Sequence, residues 1–141
     1  MISIRDHVIE KLKSGITLTG VSVKPAYSVS RVTTPLVTVD ERPSNEGVYI
    51  DNQPAVVPVR VSIECYAKQG KYNDRTLSAE DAARALAAEV DAIMNVEFGM
   101  SLLGESTVAP YTSDTTVKRV VSRYSGYLDT RTNLIYRRVS I

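Results

Sequence analysis

The run Val57-Pro58-Val59-Arg60-Val61-Ser62-Ile63-Glu64-Cys65-Tyr66 decides the fold. Val57, Val59, Val61, Ile63 and Cys65 fall on every second residue, with Arg60, Ser62, Glu64 and Tyr66 between them. A period of two sends alternate side chains to opposite faces of a strand, so this run predicts a strand with one buried face, Cys65 included, and one wet face. Pro58 stands near its start, where a missing N–H disturbs a ladder least.

Toward the N-terminus, Ile4, Val8 and Leu12 recur every four residues with Ile9 beside them. Ser3 followed by Asp6 is a capping-type start and Gly15 a helix stop, which predicts a helix of about three turns. Val21, Val23, Tyr27 and Val29 predict an edge or bulged strand broken by Pro25, and Thr34 to Glu41 a second strand, the two placed to form a hairpin. Arg42 to Pro54 is rich in Pro, Ser, Asn, Gly and Asp, and reads as a long exposed loop or extended arm.

Toward the C-terminus, Gln69 to Asp74 is polar and reads as a loop. Ser78-Ala79-Glu80-Asp81 then caps the strongest helix, whose stripe of Ala82, Leu86, Val90 and Ile93 faces the core while Arg84, Asp91 and Asn95 lie elsewhere. It should end near Val96, before Gly99. Met100 to Leu103 and Ser106 to Tyr111 are β-like, with Pro110 demoting the second to an edge. Val117 to Leu128 and Leu134 to Ile141 are the last strands, joined through Asp129 to Asn133 as a hairpin. The expected fold is α+β: a single domain over residues 1–141, mostly antiparallel sheet packed against two helices.

The totals agree with that expectation. At 141 residues, 43% hydrophobic and 23% charged, the chain has the composition and length of one globular domain. With Cys65 the single cysteine, no intrachain disulfide forms and no thiolate cluster holds a metal. Arg5, Asp6, His7, Glu10 and Lys11 interrupt the apolar residues of the N-terminus, against a signal peptide, and no apolar run approaches the ~20 residues of a membrane span. Net charge is +1, unevenly spread: from Asp114 onward six Lys/Arg face two Asp, leaving the preceding part acidic. Such asymmetry marks a complementary interface between copies, a mild attraction to nucleic acid, or plain solvated strand faces.

The residues for chemistry are sparse. The glycines are scattered, with no phosphate-cradling GxxxxGK[ST] or GxGxxG, and His7, the sole histidine, lies on the polar side of its helix. Asp40, Glu41 and Glu64 raise the question of a metal-dependent nuclease, but the E-x-K lysine is missing, since Tyr66 holds its position and Lys68 lies four residues on. Lys118, Arg119, Arg123, Arg131, Arg137 and Arg138 would make a basic surface on a flat final hairpin, with Tyr124, Tyr127 and Tyr136 to stack on bases. Tyrosine with arginine is equally the composition of a protein interface. The residues predict a non-enzymatic protein with no catalytic, cofactor-binding or metal-ligating set.

The order of elements carries a resemblance. The capped N-terminal helix, the strand Pro35-Leu36-Val37-Thr38-Val39-Asp40-Glu41, the strand ending Ile63-Glu64-Cys65-Tyr66-Ala67-Lys68, the Ala-rich helix Ser78 to Val96 and the hairpin ending Ile135-Tyr136-Arg137-Arg138 together resemble the tail terminator, or tail completion, family of tailed phages. The resemblance runs over nearly the whole chain on diffuse patterns. It implies a structural virion protein, made in the host cytoplasm, that forms a homo-oligomeric ring, commonly a hexamer, at the head-proximal end of the tail. Such a ring stops polymerisation of the tube protein and offers a docking face to the head connector, with DNA able to pass through its lumen and no membrane partner. Ring closure uses a heterologous interface. Val48, Tyr49 and Ile50 on the 42–54 arm, with Arg123, Arg137 and Arg138 as charge partners, are the expected contact residues. The alternatives are a head-to-tail joining or neck protein and, in a different class, a small metal-dependent nuclease or nucleic-acid-binding domain.

Overall fold

A computed structural model describes residues 4–29, 31–43, 48–50, 53–103, 106–109, 111, 113–129 and 134–136. In chain order its elements are α1 (Ile4–Gly15), β1 (Ser22–Pro25), a 3-10 turn (Ala26–Ser28), β2 (Leu36–Pro43), β3 (Val48–Ile50), β4 (Gln53–Ala67), β5 (Gly70–Tyr72), β6 (Arg75–Leu77), α2 (Ala79–Glu97), β7 (Ser101–Leu102), β8 (Thr107–Ala109), β9 (Lys118–Asp129) and β10 (Leu134–Tyr136). The main sheet runs β1-β2-β4-β9-β10, with β3 beside β4 and both β7 and β8 beside β9.

The deciding run is the centre of this sheet. β4 pairs antiparallel with β2 from Val59↔Pro43 to Tyr66↔Leu36 on one side, and with β9 from Val56↔Asp129 to Ala67↔Lys118 on the other. Val59, Val61, Ile63, Cys65 and Ala67 are buried in the main core, as the alternation requires. The strand reaches back to Gln53, so Pro58 lies inside it, opposite Tyr127. Burial, aided by nearby Glu64, pushes the Cys65 thiol up to about 12. We therefore expect a disulfide-exchange reagent at pH 8 to leave the folded protein unlabelled and to label its single thiol once urea unfolds it; rapid labelling in buffer would contradict this burial.

Both helices lie on that buried face. Ile4, Val8, Ile9 and Leu12 of α1 and Ala82, Ala83, Leu86, Ala87, Val90 and Met94 of α2 join the strand residues in one cluster. Small side chains let the helices close up: a Cβ added at Gly15 would lie 2.8 Å from Ile93 Cδ1. Ser78 caps α2 as expected, its hydroxyl accepting the Asp81 N–H at 3.1 Å, with Glu80 and Asp81 at the positive end of the dipole. Ser78→Ala should cost about 1 kcal/mol of stability, read from the urea midpoint. Gly99, at φ 58, supplies the left-handed residue just past the helix. Glu89 ties the far side of α2 to the 16–20 turn by accepting the N–H groups of Thr17 and Leu18 at 3.0 and 3.2 Å.

Four expectations change. β1 and β2 are parallel, Ser22↔Leu36 to Pro25↔Val39, and not a hairpin, so the connection between them returns the chain to the end at which β1 began. The 42–54 segment is not one long loop: β2 continues to Pro43, and β3 folds back on the start of β4 with Val48 opposite Val56 and Ile50 opposite Gln53. The 69–74 segment is the first half of a two-stranded hairpin, β5 with β6. Asn73 and Asp74, at φ 49 and 66, are the two residues of its tight turn and are among the side chains that tolerate positive φ best. His7, expected on the polar side of its helix, is half-buried and packs edge-on to Phe98 with centroids 5.6 Å apart.

Candidate functional site

The residues between the buried ones of β4 point to the sheet face away from the helices. Register extends that face sideways: Thr38 lies opposite Glu64 and Asp40 opposite Ser62 on β2, while Ser62 lies opposite Arg123 and Tyr66 opposite Arg119 on β9. One end is closed by a small second cluster of Leu36, Tyr66 and Val117, with Val29, Val32 and Tyr111 packed against it. The middle is an open groove of about 850 Å³, lined by Arg60, Ser62, Glu64, Thr107, Arg119 and Arg123 together with apolar residues such as Leu103, Ala109 and Val121.

Glu64 is fixed at the floor of the groove. Tyr66 donates its hydroxyl to Glu64 Oε2 at 2.7 Å and Arg119 Nη1 donates to Oε1 at 3.4 Å, so each carboxylate oxygen has a partner. Burial, then the Glu64 hydrogen bond, pushes the Tyr66 phenol up to about 12, and Tyr111 stacks edge-on against it at 5.5 Å. Arg60 and Arg123 are exposed on the same face, and among the described residues neither has an ion-pair partner. The groove therefore offers a fixed acid-base pair flanked by two accessible guanidinium groups, a surface suited to carboxylates or phosphates on a partner.

The residues singled out for nuclease chemistry are divided by the pleat. Asp40 and Glu64 share the open face on adjacent strands, but Glu41 is on the other side, where its Oε2 accepts the Arg5 N–H of α1 at 3.2 Å. Lys68 follows the last residue of β4 and pairs with Asp114 at 3.2 Å. The Thr116 hydroxyl and N–H, more than Lys68, hold the Asp114 carboxyl down to about 2. Among the described residues no three or more His, Cys, Asp or Glu side chains are grouped to hold a metal. No helix of the described residues is long and apolar enough to cross a membrane.

Of the expected contact residues, Arg123 is on the open face, whereas Val48, Tyr49 and Ile50 form β3 at the far end of β4. Arg137 and Arg138 lie outside the described residues, as does Arg131. The stacking set is corrected at Tyr124, which is fully buried on the helix side and donates to Asp91 Oδ1 at 2.9 Å. Asp91 in turn accepts from Asn95 Nδ2 at 3.1 Å, so both are bound into the helix–sheet contact. Sequence reasoning did not place Arg60 and Arg119 together. Their signal was parity, since Arg60, Ser62 and Glu64 alternate with the buried valines and Arg119, Val121 and Arg123 with Val120, Ser122 and Tyr124.

No protein-family model matches the chain, and no curated protein is significantly similar to it.

Proposed function

We propose that this chain is a structural subunit of a phage or phage-like tail, forming a homo-oligomeric ring at the head-proximal end that stops tube polymerisation and presents a docking face to the head connector. The observation that carries the reading is how unevenly the sheet is covered. β4, at 15 residues, spans roughly 50 Å, while α2, at 19 residues, spans about 28 Å. Among the described residues the helices cover one face from Val59 to Ala67, and the other face is an open groove bearing Arg60 and Arg123. A subunit with one sheet face open has surface for neighbours: one set for adjacent copies, another for the tube or the connector. The resemblance over nearly the whole chain supplies the specific role.

Negative-stain microscopy of the purified protein, alone and with tail tubes, tests this. The expected result is a ring capping one end of each tube and a fixed tube length; tubes that stay uncapped at saturating protein count against the role. A neck-joining protein would instead be found on the head connector. The nuclease alternative draws on Asp40 and Glu64 sharing one face, and it predicts Mg²⁺-dependent cleavage abolished by Glu64→Gln. Under the ring reading neither the protein nor that variant cleaves DNA.

A further inference from the structure

The far end of the sheet is a four-stranded ribbon, β3-β4-β9-β10. Val48 is opposite Val56, Val56 opposite Asp129, and Asp129 opposite Leu134, so all four strands meet in one row. Among the described residues the outer edge of β3 and the outer edge of β10 pair with nothing further. Each therefore presents unpaired backbone donors and acceptors, which is a template for another strand. The edge of β1 is blunted by Lys24 and ends in Pro25, but β3 reads Val-Tyr-Ile and β10 Leu-Ile-Tyr, with no charge, proline or glycine in either.

We infer that β10 of one copy pairs with β3 of the next, joining copies through a continuous sheet. Three observations select that pairing. The strands are of equal length, three residues each. Their polarity matches: each neighbour in β3-β4-β9-β10 is antiparallel to the last, so when copies keep one orientation β10 meets the next β3 antiparallel. Their sequence surroundings are opposite in charge. Residues 44–56, around β3, contain Glu46 and Asp51 and no Lys or Arg, whereas residues 130–141, around β10, contain Arg131, Arg137 and Arg138 and no Asp or Glu. A two-fold contact of β3 with β3 would set acid against acid, and β10 with β10 base against base; only the β10–β3 contact pairs opposite signs. Such a contact is heterologous, and repeated it generates a closed ring or an open helix of subunits. Edge pairing follows from the strands themselves; closure into a ring rests on the proposed function.

Charge reversal in mixtures tests it. Glu46→Lys with Asp51→Lys gives a copy whose sequence is basic around both strands, and Arg137→Glu with Arg138→Glu one whose sequence is acidic around both; circular dichroism verifies that each stays folded. Wild type is expected to assemble in low salt by light scattering, each variant alone to associate at least tenfold more weakly, and an equimolar mixture to recover assembly because its edges alternate in sign. Hydrogen exchange should show residues 48–50 and 134–136 gaining protection with concentration. A wild type that stays monomeric to millimolar concentration, or variants that assemble as well as wild type, would overturn the pairing. Tube capping on the same samples separates the two readings. Assembly by these edges with tubes left uncapped sinks the tail role and leaves the pairing standing, whereas capping that survives reversal does the opposite.

Discussion

Leu86→Ala is expected to lower the free energy of unfolding by about 2–5 kcal/mol, the range for removing a leucine from a tightly packed site. Leu86 is fully buried at the centre of α2, in the cluster that joins both helices to β2, β4 and β9. Its position on the helix explains why the upper part of that range applies. Ala82, Ala83 and Ala87 surround it on the same helix, and alanines have no side-chain length with which to fill a vacated space. The backbone would have to move instead, and the sheet below is held by continuous pairing of β4 with β9 from Val56↔Asp129 to Ala67↔Lys118. Ile93, on the same stripe but only partly buried, gives the internal comparison, since Ile93→Ala leaves a space that solvent can reach and should cost less. Urea unfolding of both variants measures the difference. Equal small losses, below about 1 kcal/mol, would mean that α2 does not seal the core.

What the sequence made legible was whatever a single period encodes. Val59 to Cys65 alternate cleanly because β4 has a buried side and an open side along that length, and the α2 stripe is readable because nothing but a helix puts Ala82, Leu86 and Val90 on one line. Relations between elements were not legible. Alternation in Val23 and in Val37 and Val39 is the same whether the strands run together or opposed, so the parallel β1–β2 pair looked like a hairpin. β5 and β6, at three residues each, are too short for any period, and only the Asn73-Asp74 turn marked them. In the candidate site the same limit applies: parity assigned Glu64 and Arg60 to one face, but the union of Glu64 with Arg119, and of Lys68 with Asp114, depends on register and on where β4 stops.

The proposed edge pairing would give the two ends of β4 different work. From Val59 to Ala67 the strand is covered by helices and carries the stability of the unit. From Gln53 to Val56 its partners are β3 and, at Val56, β9, while β10 lies beyond β9 in the same row, and among the described residues the outer edges of that ribbon have no further strand. Substitutions at the first end should act on unfolding, and substitutions around β3 and β10 on assembly, with little exchange between the two.

Tyr124 is the sharpest case of a core contact that looks like a surface residue in the sequence. It is among the largest fully buried side chains and stands on β9 opposite Val61, and its hydroxyl reaches across to Asp91 on α2. Tyr124→Ala should cost at least about 3–5 kcal/mol for the cavity alone. Tyr124→Phe keeps the ring and removes only the donor, leaving Asp91 with Asn95, at a cost of about 1–3 kcal/mol. The pair of variants separates packing from the hydrogen bond, and pH supplies an independent check. Burial, followed by the Asp91 carboxylate, raises the Tyr124 phenol above its ordinary value of 10.0. In the unfolded chain that proton leaves near its ordinary value, while the folded chain retains it. The contribution is therefore fully present below pH 10 and is lost as pH climbs toward the folded value, by about 1.4 kcal/mol per pH unit for each such tyrosine. Tyr66 behaves in the same way up to about 12. Cys65, raised from 9.0 to about 12, adds a loss that begins near pH 9. Stability should thus fall from about pH 9 and more steeply above pH 10 in the wild type, and more gently in Tyr124→Phe, which keeps the Cys65 and Tyr66 shares. Parallel slopes in the two proteins would show that the Tyr124 hydroxyl does not bind α2 to the sheet, and the packing loss in Tyr124→Ala would then have to account for the whole effect.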